Sequence, residues 1–400
     1  MMKLTLLATT RAMRRHTATL VRSPTVARAF TTGASSSSGS SYNAAAAART
    51  LKLLERRKVT TLDIGILKRK SKPITMVTAY DYPSAVHVDL AGFDILLVGD
   101  SVGMVELVSG AGYHRWPTWR DDTGYDTTIP VTLEDMIHHT RAVKRGAERP
   151  LIITDMPFGT CEGEPYEALR NAQRLLKVEV HNHFRMSVLS ESERAFDEGG
   201  ADCVKIEGGR ERAKTIRTLV DGGIAVMGHV GLRPQHISVL GGFRAQGRTA
   251  SQAEQIIEDA LAVQEAGAFA VVIECVPAPV AKQVTDLLHI PTIGIGAGPD
   301  TSGQVLVYHD LLGMLQHPHH AQHVPKFCKR YADVGERIRV GLEEYRDDVE
   351  NRRFPTNDFA PYKMSQEEVE KLEELVAAKY RDGVNQTVSQ DAPSEVTKVY

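Results

Sequence analysis

The sequence predicts an α/β fold of about eight parallel strands, closed as a (β/α)8 (TIM) barrel or laid out as a doubly wound open sheet. Three observations carry this. From residue 74 onward, short β-branched runs alternate with longer helical patterns. The runs are almost wholly apolar, as parallel strands covered on both faces must be. Each run stops on polar residues or glycine at its carboxyl end, which is where barrels carry their active sites. Periodicity does not separate the barrel from the open sheet.

Taken in order, the strand candidates are ITMVTAYD (74–81), ILLVGD (95–100), LIITDMP (151–157) and CVKIEG (203–208). They continue with AVMGHVG (225–231), VVIECVP (271–277), TIGIGAG (292–298) and VLVYHD (305–310). Between them lie helical patterns, of which LEDMIHHTRAVKRG (133–146) and SQAEQIIEDALAVQEAGA (251–268) are the clearest. The second spaces Ile256, Ala260, Val263 and Ala266 near the helical period and then meets a glycine stop.

The strand ends carry Asp81, Asp100, Asp155, Lys205 with Glu207, His229 and Glu274. One acid after a strand is a turn residue. Several acids on one rim repel one another and raise each other's pKa unless a cation joins them. Asp100, Asp155 and Glu207 are therefore read as a hard-metal site, for Mg2+ rather than Zn2+ because the donors are oxygens without a neighbouring His or Cys pair. The alternative is acids that are satisfied separately. Glu274, between VVI and CVP, sits in an apolar setting that suits a general base, or it pairs with a nearby Lys or Arg. His229 is read as a core histidine with a satisfied ring. GIGAG (294–298) lacks the full dinucleotide fingerprint and either admits a ligand or simply turns. HPHHAQH (317–323) is read as a surface segment rather than a metal cluster.

The chain has 400 residues, with 48 Lys and Arg against 50 Asp and Glu, for a net charge of −2. That balance gives no electrostatic reason to expect nucleic acid or an anionic membrane as a partner. The four cysteines, Cys161, Cys203, Cys275 and Cys328, include no C-x-x-C pair, which argues against a zinc site and a disulfide framework. The first segment differs in composition. It carries Arg11, Arg14, Arg15, Arg22 and Arg28, no acid before Glu55, and a Ser/Gly/Ala-rich stretch. This is the composition of an organelle transit peptide, and residues 1–45 are read as a mitochondrial presequence with its linker.

Ten motifs occur in the order seen in ketopantoate hydroxymethyltransferases, and over residues 55–360 the chain resembles that family. They are VTAYDYPSA (77–85), LLVGDSVGM (96–104), TIPVT (128–132), DMPFGT (155–160), VKIEGG (204–209), GHVGLRPQ (228–235), GGFRAQGR (241–248), ECVP (274–277), IPTIGIGAG (290–298) and GQVLVYHDLLG (303–313). The resemblance implies a TIM barrel of the phosphoenolpyruvate/pyruvate superfamily, assembled as a homo-oligomer, often a decamer. It implies transfer of a hydroxymethyl group from 5,10-methylenetetrahydrofolate to 3-methyl-2-oxobutanoate in pantothenate biosynthesis. Carried over motif by motif, Asp100, Asp155 and Glu207 lie at or near Mg2+, with Asp100 and Asp155 also beside the substrate. Ser101 and Lys205 match substrate-binding positions, and Glu274 matches the catalytic base. The chemistry agrees, because a 2-oxo acid can chelate Mg2+ through its carboxylate and keto oxygen and be enolised there. A lyase or mutase of the same superfamily would keep the three acids but not ECVP and GGFRAQGR.

The expected organisation is a leader over 1–45, a catalytic barrel over 50–360, and a C-terminal helix with a disordered tail over 361–400. The helix is SQEEVEKLEELVAAKYRD (365–382), with Val369, Leu372 and Leu375 along one side. Two stretches depart from the family pattern: VSGAGYHRWPTWRDDT (108–123) and about twenty residues near Val178–Asp197. A lid accounts for the first alone. In-frame introns retained in a predicted gene account for both, and that reading is preferred.

Overall fold

In a computed structural model, residues 57–107, 127–177, 200–316, 324–360 and 362–387 are described. The eight strands are β1 (Ile74–Thr78), β2 (Ile95–Val98), β3 (Leu151–Asp155), β4 (Cys203–Glu207), β5 (Val226–Gly231), β6 (Ala270–Glu274), β7 (Thr292–Ile295) and β8 (Gly303–Leu306). All neighbours pair in parallel and β8 returns to β1, so the sheet closes as a barrel and the open-sheet alternative is excluded.

Closure follows from how the side chains divide. In a strand, successive side chains point to opposite faces. Ile74, Met76, Ile95, Leu97, Leu151, Ile153, Cys203, Met227, Ala270, Val272, Ile293 and Val305 form one buried cluster, which is the barrel interior. Ile64 of the helix Thr61–Arg69 joins it, packing with residues at the amino ends of the strands. The intervening residues Val77, Leu96, Val98, Ile152, Val204, Ile206, Val226, Val271 and Ile273 pack outward with helix residues such as Ile137, Leu175, Leu219 and Val263. Both faces are therefore covered, which is why the strands read as unbroken apolar runs.

The helices start where local chemistry places them. Helix Leu133–Gly146 spans the expected residues and begins at Thr132, whose hydroxyl accepts from Asp135 N at 3.2 Å while the Asp135 carboxylate accepts from Thr132 N at 2.9 Å. Helix Ala250–Glu265 ends three residues earlier than expected. It packs so closely on β5 that a Cβ at Gly228 would lie 2.3 Å from a Val263 methyl, so only glycine fits there. The strands end earlier than the apolar runs suggest. At β8, for example, residues expected to extend the strand form the helical turn Tyr308–Leu312.

After the barrel come the helices Val334–Glu350 and Gln366–Thr387. The second continues through residues 383–387, which the sequence places in the disordered tail. Leu372 and Leu375 are exposed within the single chain. No described helix is long and apolar enough to cross a membrane. All four cysteines are free thiols. The leader, both inserted stretches and HPHHAQH lie outside the described residues.

Candidate active site

Strand parity builds the site. Asp155 continues the inward row of Leu151 and Ile153; Lys205 and Glu207 continue that of Cys203. His229 follows Met227, and Glu274 follows Ala270 and Val272. The ladder sets Asp155 opposite Lys205, Glu207 opposite His229, and Gly231 opposite Glu274. Five ionisable side chains thus enter the barrel at the carboxyl ends of β3–β6. Asp100 follows β2, where the backbone N–H of Asp100 donates to Asp155 Oδ2 at 3.0 Å. Ser101 comes next, with its hydroxyl 2.8 Å from that of Tyr80.

These groups form a connected, almost dry network. Asp100, Asp155, Lys205, Glu207 and His229 are each at most 5% exposed. Lys205 Nζ lies 3.0 Å from Asp155 Oδ1 and 3.2 Å from His229 Nδ1. His229 Nδ1 is 3.5 Å from Glu207 Oε1, and its Nε2 is 3.2 Å from Glu274 Oε2. The Asp155 Oδ1 and His229 Nε2 contacts are close ionic approaches without hydrogen-bond geometry. Gln235 ties the network together: its amide nitrogen donates to Asp100 Oδ2 at 2.8 Å and to the Met156 carbonyl at 3.0 Å, and its backbone N–H to Glu207 Oε2 at 3.1 Å.

The electrostatics are set by burial and by an excess of acids over cations. Burial, then the charges of Asp155 and Glu207, push Asp100 well above the usual carboxylate range, against the pull of Lys205 and Gln235. Burial also raises Asp155, although Lys205 and the Asp100 amide oppose it. Burial would raise Glu207, but His229, Lys205 and the Gln235 N–H outweigh it and hold it below its ordinary value. Burial and the Lys205 charge push His229 down, yet Glu207 and Glu274 prevail and carry it up to about 9. For Lys205, the three carboxylates of Asp155, Glu207 and Asp100 overcome burial and raise it. Four carboxylates face one lysine and one histidine, and Asp155 Oδ1 has no hydrogen-bond partner. A divalent cation at Asp100 and Asp155 fits this deficit. Glu207 is turned to Gln235 and His229, and no three His, Cys, Asp or Glu side chains among the described residues converge as a ready ligand set.

Asp100, Asp155, Lys205, Glu207, His229 and Glu274 open into one cavity of about 770 Å3 that also includes Ser101, Thr128, Phe243, Ile295, Gly296, Asp310 and Phe327. Its volume is typical of small-molecule sites.

The family model of ketopantoate hydroxymethyltransferase matches residues 58–190 and 184–357. A rice protein (Oryza sativa subsp. japonica) named 3-methyl-2-oxobutanoate hydroxymethyltransferase 1, mitochondrial, is 51% identical over 315 residues, covering 78% of this chain and 77% of that protein. An Arabidopsis thaliana protein of the same name is 50% identical over 78% of this chain and 80% of its own length. A 3-methyl-2-oxobutanoate hydroxymethyltransferase from Moorella thermoacetica is 45% identical, covering 77% of this chain and 99% of that protein.

The chain belongs to the ketopantoate hydroxymethyltransferase family.

Among solved structures, a phosphonopyruvate hydrolase complex with oxalate and Mg++ covers 80% of this chain and 99% of its own at 13% identity and a TM-score of 0.41. A likeness at that level carries nothing about ligands or chemistry.

In this ketopantoate hydroxymethyltransferase family member, Asp100, Ser101, Asp155, Lys205, Glu207 and Glu274 all line the one cavity, as the motifs led us to expect. Asp81 is the exception among the strand-end acids. Its carboxylate accepts from Ser84 N at 2.8 Å and caps the helix Tyr82–Ala91. Among the described residues Glu274 pairs with His229 and with no Lys or Arg. His229 is buried as expected, but among charged groups and not as a satisfied core ring. The sequence reading missed Gln235. It lies in the quoted motif GHVGLRPQ, yet it stands 135 residues from Asp100 in the chain, and no local pattern marks it.

Proposed function

We propose that the chain transfers a hydroxymethyl group from 5,10-methylenetetrahydrofolate to 3-methyl-2-oxobutanoate, giving 2-dehydropantoate, with Glu274 as the base. The family and the names of its relatives support the overall reaction. The assignment of the base rests on one observation: Glu274 points into the cavity beside the Asp100–Asp155–Lys205 network, 3.2 Å from His229.

Asp100 and Asp155 are the residues that would hold Mg2+, with Glu207 as a further acid close by. The bound ion supplies a Lewis acid for the oxo acid's carboxylate and keto oxygens. Lys205 offsets part of the substrate's negative charge from within the barrel. Ser101, oriented by Tyr80, offers a hydroxyl to a substrate oxygen. Glu274 takes the proton from C3, and the electron pair of the C–H bond moves into the enolate. That carbon forms the new bond to the donor's methylene carbon, whose two bonds to folate nitrogens break; water supplies the hydroxyl oxygen, and the protons from C3 and from water leave on the two nitrogens of tetrahydrofolate. His229, 3.2 Å away, holds Glu274 at the rim.

Two further assignments belong to this reading. The Arg-rich segment 1–45 is a mitochondrial presequence, in keeping with the mitochondrial names of the plant relatives. The chain assembles as a homo-oligomer, and the exposed Ile338, Leu342 and Tyr345 on helix Val334–Glu350 supply apolar surface for a subunit contact.

The test is Glu274→Gln. It is expected to keep oxo-acid affinity and to slow exchange of the C3 proton into heavy water by about 100-fold or more. Exchange at the parent rate would move the base elsewhere.

A further inference from the structure

The cavity is larger than the oxo acid requires. A pocket of about 770 Å3 lies in the range that takes drug-sized ligands, and an acid of about eight non-hydrogen atoms leaves most of it free. Chemistry requires the donor in the same space, because its one-carbon unit must come within about 3–3.5 Å of C3.

The cavity also has aromatic side chains in its lining. Phe243 and Phe327 both line it, and they are 49% and 40% exposed. Two large aromatic side chains left open at the mouth of a cavity mark a surface meant to be covered. Phe243 lies in a segment tied to the residue after Glu274, since Gln246 N donates to the Cys275 carbonyl at 2.9 Å. Phe327 lies against Gly296, which has φ of +59°. A Cβ there would stand 2.7, 3.0 and 3.1 Å from three of the ring's carbons. The ring takes this position only because residue 296 has no side chain, which gives GIGAG a purpose beyond turning the chain. Asp310, in the turn Tyr308–Leu312, lines the same cavity, and no described residue hydrogen-bonds to its carboxylate.

We propose that Phe243 and Phe327 form the stacking slot for the pterin ring of the folate donor, with Asp310 accepting from the ring's amino edge. The proposal rests on the reading that the donor is a folate. A flat heterocycle offers its faces to the two phenyl rings. Its adjacent N–H donors match the two oxygens of a carboxylate.

The experiment compares two reactions of the full-length enzyme with Mg2+ present. Hydroxymethyl transfer needs the folate, whereas C3 proton exchange in heavy water does not. Phe243→Ala and Phe327→Ala are each expected to raise KM for 5,10-methylenetetrahydrofolate about 10-fold, the scale of losing one ring from a stack. Phe327→Tyr should restore most of the loss, and Asp310→Asn should raise the same KM several-fold. The KM for the oxo acid in the exchange reaction should stay within twofold of the parent. An unchanged folate KM in the alanine variants overturns the slot. A folate KM rise matched by an equal loss of exchange also overturns it, because the rings then support the oxo-acid end or the fold. If the folate reading itself is wrong, the parent enzyme exchanges the proton but gains no transfer from added folate. That outcome removes the slot's ligand before any variant is made.

Discussion

The backbone N–H of Asp100 donates to Asp155 Oδ2 at 3.0 Å, so the acid after β2 and the acid that ends β3 are held together by the backbone. Burial and its neighbours raise the pKa of Asp100 well above its unfolded value. Between those two values the folded chain keeps a proton that the unfolded chain has lost. Stability of the metal-free protein therefore falls as pH rises from about 4 through the raised pKa.

The first prediction follows from that sign. Asp100→Asn should make the protein about 1–3 kcal/mol more stable at pH 7, by removing a buried carboxyl that must either ionise with poor compensation or keep a proton. It should also flatten the decline between pH 4 and 7, and it should abolish Mg2+-dependent binding of the oxo acid. Thermal unfolding across pH, with calorimetry of 3-methyl-2-oxobutanoate with and without Mg2+, checks all three. Parallel stability curves for parent and variant would refute the account of Asp100.

Lys205 has the opposite sign. It is the one buried lysine of the network, 3.0 Å from Asp155 and facing three carboxylates. Lys205→Met leaves those carboxylates without it, and losing one partner of a buried ion pair costs about 3–5 kcal/mol. Urea denaturation should show that loss in metal-free protein, with added Mg2+ recovering part of it. A loss under 1 kcal/mol would mean that water already reaches the network.

The contrast between Asp155 and Asp81 shows what the sequence can reveal. Both follow apolar runs. Asp155 shares the parity of Leu151 and Ile153, so it points into the barrel. Asp81 lies three residues past β1 and precedes Tyr82-Pro83-Ser84, a helix start with its own cap. Counting parity from the interior residues separates the two, and the same count marks His229 beside Met227. The parallel sheet was legible because its strands are apolar on both faces, whereas its closure into a barrel was implied by the family motifs and shown by the pairing of β8 with β1. Gln235, Phe243, Asp310 and Phe327 carry no such mark, since only closure of the barrel brings these loop and turn residues to one mouth.

The leader makes a separate prediction. A fluorescent reporter fused after residues 1–45 should reach mitochondria and lose its amino-terminal segment before about Ala44. Replacing Arg11, Arg14 and Arg15 with Glu should leave it in the cytosol, because positive charge with no acids is what defines such presequences. A reporter that stays cytosolic with Met1 intact would refute the assignment.

The last prediction concerns residues 108–123 and 178–197, which lie outside the described residues. The family model matches in two pieces that meet at residues 184–190, within the second stretch. The first follows the β2 end that carries Asp100, where an added loop would hang over the cavity, and long loops in compact domains are often lids. The second falls in the chain between the helix Pro165–Leu176 and the amino end of β4, the end of the strand opposite to the one that carries Lys205 and Glu207. One cause would cover both: an in-frame intron retained at each stretch. Val108-Ser109 can be encoded by GTGAGC, which resembles a splice donor. Thr123 followed by Gly124 can be encoded by ACAGGN, which contains an acceptor-like CAG. Both tryptophans of the chain, Trp116 and Trp119, fall in the first stretch. The protein purified from cells that express the gene should therefore show no tryptophan emission, and its transcript should lack both segments. Strong emission near 350 nm, typical of water-exposed indole, from a chain of full mass would leave the lid standing, and with it a loop positioned to shut water out of the cavity.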